Sequence, residues 1–298
     1  MKILITGSNG LLGQKLVLKL SQDKEVELIA TARGKNRLTK ATNYTYTSLD
    51  ITNRKQVLDV IGQHQPDVVI NTAAMTNVDA CEDDKLGCDK LNVDAVQYIV
   101  DGCKANNCHL VHLSTDFIFD GTAGPYKEED EPNPVSYYGE SKLKAEKIVQ
   151  ESGVAAAILR TVLVYGIVED MSRSNIVLWA KGALEKGEAI NVVNDQFRSP
   201  TLAEDLADGC ILAAKQKATG VYNISGKDQL NVMQIVEAVA DFWNLDKSII
   251  NPISSTTLNQ RAKRPPVTGF VLDKARNELG YNPHSFAEGI AVLSEQMG

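Results

Sequence analysis

An apolar run, KILIT at 2–6, passes directly into the glycine-rich turn of ITGSNGLLG. LLGQKLVLKL at 11–20 follows, with its apolar residues spaced for one face of a helix. This succession of strand, tight turn and helix is the strongest constraint on the chain, because a buried strand covered by a helix needs parallel strands beside it. Candidates for those strands follow. VELIAT at 26–31 predicts a second strand, the stretch near Tyr44 a third, DVVIN at 67–71 a fourth, HLVHLS at 109–114 a fifth and AAAILRTVLVYG at 155–166 a sixth. Helices are predicted through QVLDVIGQH, ending at the breaker Pro66, and over 92–105. The alternation specifies an α/β fold, a doubly wound parallel sheet with right-handed crossovers.

Beyond Gly166 the order is less regular. Helical patterns occur at 174–186, 202–216, 231–244 and 285–297, with short strand candidates AINVV and VYNIS. Asn251-Pro252 and Arg264-Pro265-Pro266 mark extended or turning backbone. At 298 residues the chain exceeds the usual size of one core. We read 1–166 as a dinucleotide-binding domain, rejoined by about 201–225, and 167–200 with 226–298 as a smaller, interleaved mixed α/β substrate lobe.

Composition removes several classes of function. A formal net charge of −7 with scattered positive residues repels nucleic acid. No apolar run approaches the roughly 18 to 20 residues of a membrane helix. MKILITG lacks the parts of a signal peptide, so the expectation is a cytoplasmic protein without membrane contact. The five cysteines, Cys81, Cys88, Cys103, Cys108 and Cys210, form no CxxC pair and suit reduced thiols, and the four histidines show no ligand spacing. No metal site is expected. Oligomeric state is not fixed by the sequence, and a homodimer is compatible with it.

Gly7, Asn9, Gly10, Leu11, Leu12 and Gly13 lie between the first strand and the first helix turn. Glycines there permit a tight turn and close backbone approach, so that the amides at the helix start face a pyrophosphate. At the end of the second strand a carboxylate would hold the ribose hydroxyls of NAD, whereas an arginine accommodates the phosphate of NADP. TARGKNR carries Arg33, Lys35 and Arg37 and no acid, so NADP(H) is favoured over NAD(H), with Arg33 as the main phosphate contact. Asp50 and Ile51 end the third strand, where they could meet the adenine. Asn71, Thr72, Ala73 and Ala74 end the fourth, with small residues that admit a dinucleotide.

The chemical end is SYYGESK at 136–142. If helical, Tyr138 and Lys142 are four apart and share a face, while Tyr137 points roughly 100° away. A neighbouring ammonium stabilises a phenolate and lowers the phenol pKa, so the pair can exchange a proton with a carbonyl or alcohol oxygen. Tyr137 is then a packing or substrate-side residue.

Together GxxGxxG, NTAA, the Ser/Thr ending the fifth strand and YxxxK resemble the extended short-chain dehydrogenase/reductase family, which has a Rossmann fold. More narrowly, NTAAMTNVDACE, STDFIFDGTAGPYKEEDEPNPVSYYGESKLKAE, DQFRSPT and RPPVTGFVLD are similar to the dTDP-4-dehydrorhamnose reductase family. The resemblance implies hydride transfer to the C4 keto group of a dTDP-linked deoxysugar. It implies Tyr138 as proton donor, Lys142 on the nicotinamide ribose, Thr115 hydrogen-bonded to the reacting oxygen and Asp116 near the sugar. Asn92 either helps to position the lysine or serves packing or capping. Gln196 matches the family pattern on the sugar-nucleotide side. Arg198 stands where these reductases usually have a small residue nearby and resembles the diphosphate-binding arginine of nucleotide-sugar epimerases. Arg264 is another candidate anion contact, and Thr268 replaces the commoner serine. The alternatives are an epimerase or dehydratase on this scaffold, or a non-catalytic regulatory subunit resembling the methionine adenosyltransferase β subunit.

Overall fold

The KILIT run forms β1 (Lys2–Thr6), whose Ile3, Leu4 and Ile5 are fully buried. A strand buried on both faces must lie inside a parallel sheet covered by helices. In this computed structural model, which describes residues 1–171, 174–258 and 260–297, it does. The chain continues through α1 (Leu11–Leu20), β2 (Glu27–Ala32), β3 (Thr45–Ser48), α2 (Arg54–His64) and β4 (Val68–Asn71). Two short helices follow, α3 (Val78–Asp83) and α4 (Lys85–Asp89). A wide π-type turn over Lys90–Asp94 leads into α5 (Ala95–Asn106), so the helix predicted over 92–105 is part of a longer rod. Next come β5 (His109–Thr115), α6 (Tyr137–Glu151) and β6 (Ala156–Thr161).

The sequence reads 155–166 as one strand, but the backbone breaks between β6 and β7 (Val164–Tyr165). Leu163 takes a φ of 37°, which no strand residue adopts. The chain is thereby turned out of the main sheet. The remaining elements are α7 (Ile176–Glu185), β8 (Ile190–Val193), β9 (Phe197–Arg198), β10 (Thr201–Leu202), α8 (Ala203–Gln216), β11 (Gly220–Asn223), β12 (Leu230–Asn231), α9 (Val232–Phe242), β13 (Ile250–Ile253) and α10 (Phe286–Met297). The main sheet is all parallel, in the order β11-β6-β5-β4-β1-β2-β3, while β7 pairs with β10, β9 with β12 and β8 with β13 in small ladders. VYNIS therefore supplies the seventh strand of the large sheet, in register with β6 from Ala157 to Arg160.

One face of the sheet packs against α1 and α8 through Leu16, Leu206 and Cys210. The other packs against α2, α5 and α6 through Val57, Ile99 and Ala145. Phe270, Leu272, Leu279 and Tyr281 join the α1/α8 core, although the sequence groups 226–298 with the smaller lobe. A separate core forms where α7, α9 and α10 close around Ile190 and Val192 of β8.

The position of α6 on the sheet is fixed by a buried ion pair. Arg160 of β6 forks onto Glu146 of α6 at 3.1 and 2.8 Å, with both side chains at most 4% exposed, and its third donor reaches the Glu128 carbonyl. Desolvation consumes most of the attraction in such a pair, but removing one partner strands the other charge. Glu146→Ala should destabilise the fold by about 3–5 kcal/mol, whereas replacing both residues with apolar ones of similar size should cost less; urea unfolding of the three proteins checks this.

Candidate active site

At the centre of the sheet the chain runs outward from β1 to β2 and β3, then crosses back to β4. The loops after β1 and β4 therefore diverge and open a crevice at the strands' carboxyl ends. Gly7 has a φ of +72°, and a Cβ on it would lie 2.8 Å from Thr72 Oγ1 and 2.9 Å from the Ala73 nitrogen. A Cβ on Gly13 would lie 2.2 Å from the Gly7 carbonyl oxygen, so only glycine lets α1 start against the turn. Gly10 caps α1 with no side-chain hydrogen bond, which leaves the first-turn amides of Leu11, Leu12 and Gly13 for a ligand.

The other residues picked out at this end take differing positions. Asn9 is a clip: its Nδ2 donates to the Lys35 carbonyl and its Oδ1 accepts from the Arg37 amide, fixing the loop after β2. Arg33 is exposed on that loop and acts electrostatically on Asp50. Asp50 accepts from both the amide and hydroxyl of Thr52, which holds its carboxyl below the usual range, and Ile51 is buried. Asn71 is committed within the sheet, accepting from Thr6 Oγ1 at 2.6 Å and bonded through Nδ2 to His112 Nδ1. The Thr72 hydroxyl donates to the Thr6 carbonyl. Ala73 and Ala74 remain half-buried beside the crevice.

Helix α6 begins with Ser136, whose Oγ accepts from the Gly139 amide. A Cβ on Gly139 would come within 2.1 Å of the Phe117 carbonyl oxygen, so glycine lets the first turn of α6 lie directly on the turn that ends β5. That contact puts Tyr138 beside Thr115, whose hydroxyl acts electrostatically on the phenol, and Phe117 meets the Tyr138 ring edge-on at 5.8 Å between centroids. Lys142, one turn further and 3% exposed, donates to the Leu113 carbonyl at 2.6 Å. Burial lowers its pKa to about 8, partly opposed by Glu146. Tyr137 faces away. Its hydroxyl donates to Asp89, and Lys85 and Lys144 lie over its ring.

The geometry bears on three of these readings. The phenol of Tyr138 is expected from the sequence to be acidified by Lys142, but burial pushes its pKa up, the Thr115 hydroxyl offsets this only in part, and Asp116 adds to the rise. The ammonium is instead spent on the Leu113 carbonyl. Asn92 directs its hydrogen bonds to the Met75 amide and carbonyl, Ser141 Oγ and Cys88 Sγ, tying the loop after β4 to α6. Arg264 is a forked partner of Asp79 on α3, at 3.2 and 2.7 Å, before any ligand is considered.

On the side facing the smaller lobe, Asp116 is 2% exposed and accepts from Thr115 Oγ1 at 3.1 Å and from Thr268 Oγ1 at 2.5 Å. Burial raises its pKa, while the Arg198 guanidinium and both hydroxyls work to lower it. Arg198 is itself 4% exposed, bonded to the Phe197 and Pro266 carbonyls and Gln196 Oε1, and lies over the Phe117 ring. It is thus a buried charge beside the cleft, with both terminal nitrogens already hydrogen-bonded. The cleft, about 340 Å³, is lined by Asp120, Gln196, Leu258 and Arg264 among others. Thr268 and Phe117 were not picked out as site residues. For Thr268 the only signal was its place in RPPVTGF, and for Phe117 its place after the ST-D triplet.

The model of the RmlD substrate binding domain family matches residues 1–298. Methionine adenosyltransferase 2 subunit beta of Bos taurus is 31% identical over 269 residues, covering 89% of this chain and 78% of that protein. A dTDP-4-dehydrorhamnose reductase of Aggregatibacter actinomycetemcomitans is 29% identical over 301 residues, covering 97% of each. The crystal structure of a dTDP-4-dehydrorhamnose reductase from Bacillus anthracis in complex with NADP superposes with a TM-score of 0.84 at 25% identity, covering 99% of each chain. Structures holding NAD are also among the neighbours. MoeE5 in complex with UDP-glucuronic acid and NAD, at 23% identity and a TM-score of 0.86, covers 100% of this chain and 99% of its own and shares the fold.

Because the folded pKa of Lys142 lies near 8, below its ordinary value, the unfolded chain binds the extra proton above that pH. The cost of burying the ammonium should therefore be full below pH 8 and relieved as pH rises past it. Nζ-detected NMR should place the Lys142 midpoint near 8, and a Lys142→Met protein should lose the associated rise in stability. Gly139→Ala should push α6 off the Phe117 carbonyl at a cost of roughly 1–3 kcal/mol, measurable by urea unfolding.

Proposed function

Since the chain belongs to the RmlD substrate binding domain family, we propose that it is an NADPH-dependent reductase of a nucleotide-linked 4-keto-deoxysugar, with dTDP-4-dehydrorhamnose as the favoured substrate. The observation that carries this is Tyr138: a phenol kept protonated by burial, beside Thr115 at the end of β5 and one helical turn from Lys142. A group that must give a proton while a carbonyl is reduced works best when it holds that proton firmly until negative charge develops on the oxygen.

The fit of a dinucleotide rests on the Gly7 and Gly13 cradle, which a Cβ would fill, and on the uncapped first turn of α1. When bound, the nicotinamide supplies the hydride. Gly7, Gly10, Leu11, Leu12 and Gly13 hold the pyrophosphate in this reading, and Asp50, Ile51, Ala73 and Ala74 flank the adenosine half. Lys142 binds the nicotinamide ribose, and its positive charge stabilises the phenolate left on Tyr138. Thr115 fixes the reacting oxygen by a hydrogen bond. Asp116 and Gln196 face the sugar, the positive charge of Arg198 favours the diphosphate, and Arg264 lines the cleft while paired with Asp79.

The preference for NADP over NAD rests on Arg33, whose exposed guanidinium has no carboxylate beside it on the loop after β2. We place the reaction in the cytoplasm, where five free cysteines stay reduced. We also place it at the junction of 1–166 and 201–225 with the lobe built from 167–200 and 226–298. A second reading, a regulatory subunit that keeps the dinucleotide fold, is favoured by the likeness to the methionine adenosyltransferase subunit. No turnover on any nucleotide sugar, together with capture of a synthetase partner, would establish it.

NADPH oxidation screened over nucleotide-linked 4-keto sugars should show net consumption with the dTDP-linked substrate. Tyr138→Phe should lower kcat by about 10²–10⁴-fold with NADPH binding retained, while Tyr137→Phe should stay within about threefold; equal losses in the two would remove Tyr138 from its role. Arg33→Ala should weaken NADPH binding by at least about tenfold and leave NADH little changed, read by fluorescence titration.

A further inference from the structure

Thr268 belongs to a segment gripped from both sides. Its amide donates to the Phe197 carbonyl of β9, and its carbonyl accepts from Gln229 Nε2. One residue before it the Val267 amide donates to the Gly121 carbonyl, and one residue after it the Gly269 carbonyl accepts from the Tyr126 amide. The side chain is fully buried. Its backbone is held to the smaller lobe on one side and to the loop after β5 on the other, so its hydroxyl has one place to go. It donates to Asp116 Oδ2, across 152 residues of sequence, while Thr115 Oγ1 donates to the other oxygen of the same carboxylate.

We propose that Thr268 is a positioning residue that locks the Asp116 carboxylate as an acceptor and thereby fixes the Thr115 side chain beside Tyr138. The proposal rests on the reductase reading for its catalytic consequence and on the hydrogen bonds above for its geometry. A hydroxyl has one proton to give. With Asp116 held as an acceptor on both oxygens, the Thr115 proton lies toward the carboxylate and a lone pair accepts from the Phe117 amide. Without the Thr268 donor, one buried carboxylate oxygen loses its partner, and Asp116 must either rotate or take up a proton. A protonated Asp116 becomes a donor toward Thr115 and reverses that bond.

The charged group that faces Asp116 is the Arg198 guanidinium from β9, on which Arg264 acts in turn, and the titratable neutral group beside it is the Tyr138 phenol from α6. Arg198 favours the ionised carboxylate, and burial opposes it. Removing the Thr268 hydrogen bond therefore raises the Asp116 midpoint, so ionisation is lost at a higher pH than in the unaltered protein.

The test compares Thr268→Val, which keeps the volume and removes the hydroxyl, with Thr268→Ser, which keeps the hydroxyl. NADPH oxidation on the 4-keto sugar is measured from pH 5 to 9. In Thr268→Val, kcat should fall at least about tenfold with the NADPH dissociation constant unchanged, and the acid limb of kcat/KM should move to higher pH; Thr268→Ser should restore both. An unaltered kcat in Thr268→Val, or equal losses in both variants with no movement of the acid limb, overturns the proposal. The ¹³C carboxyl resonance of Asp116, assigned by its loss in Asp116→Asn, gives a readout that needs no turnover: its midpoint should lie about one pH unit higher in Thr268→Val than in Thr268→Ser. Coincident midpoints overturn the proposal even if activity changes. Separated midpoints in a protein that reduces no nucleotide sugar uphold the lock on Asp116 and overturn the reductase reading instead.

Discussion

The approach of α6 to the turn after β5 is the contact on which the rest of the site depends. It is possible because residue 139 has no Cβ: the Phe117 carbonyl oxygen occupies the space that one would need. Everything chemical follows from that distance. Tyr138 reaches Thr115, Lys142 reaches the Leu113 carbonyl, and Phe117 is pressed between the Tyr138 ring on one side and the Arg198 guanidinium on another. Ser136 supports the same contact by capping the helix at the residue where it begins.

Such an approach buries charge, and the molecule handles each buried charge differently. Arg160 and Glu146 neutralise each other by a fork and need nothing more from solvent. Lys142 donates to a carbonyl and has no carboxylate hydrogen-bonded to it among the described residues, so burial brings its pKa down to about 8. Asp116 has two hydroxyls and a distant guanidinium, enough to oppose burial but not to cancel it. Full pairing suits a residue that holds a helix in place; incomplete compensation suits residues whose charge must respond to a ligand.

The smaller lobe takes part in the site through the segment from Arg261 to Thr268. Arg261 and Arg264 grip Asp83 and Asp79 of α3, the helix that follows the β4 loop, and Thr268 reaches Asp116 at the end of β5. A second tie crosses the nucleotide side, where Gln14 of α1 bonds both the amide and the carbonyl of Glu169, and the Glu169 carboxylate accepts from Thr39 and Lys40. The two cores are thus joined by polar contacts at the rim of the cleft and by Leu163, which packs against both.

Local periodicity was enough to read most of the sheet, the helices and the shared face of Tyr138 and Lys142, because strand and helix repeats act over two to four residues. The glycines of the first turn were legible for the same reason: the demand for a missing Cβ arises within one strand-turn-helix unit. Three features were decided only by the tertiary path. Leu163 breaks the sixth strand, and VYNIS finds its partner in β6 on the large sheet. Arg264 is claimed by Asp79, 185 residues away, and Thr268 by Asp116. The Tyr138 phenol is raised because burial outweighs a cation that sequence spacing places on its face but the fold directs to a carbonyl. Spacing along a helix tells which side chains share a face; how much water and which distant partner each one meets is set when the elements close over one another.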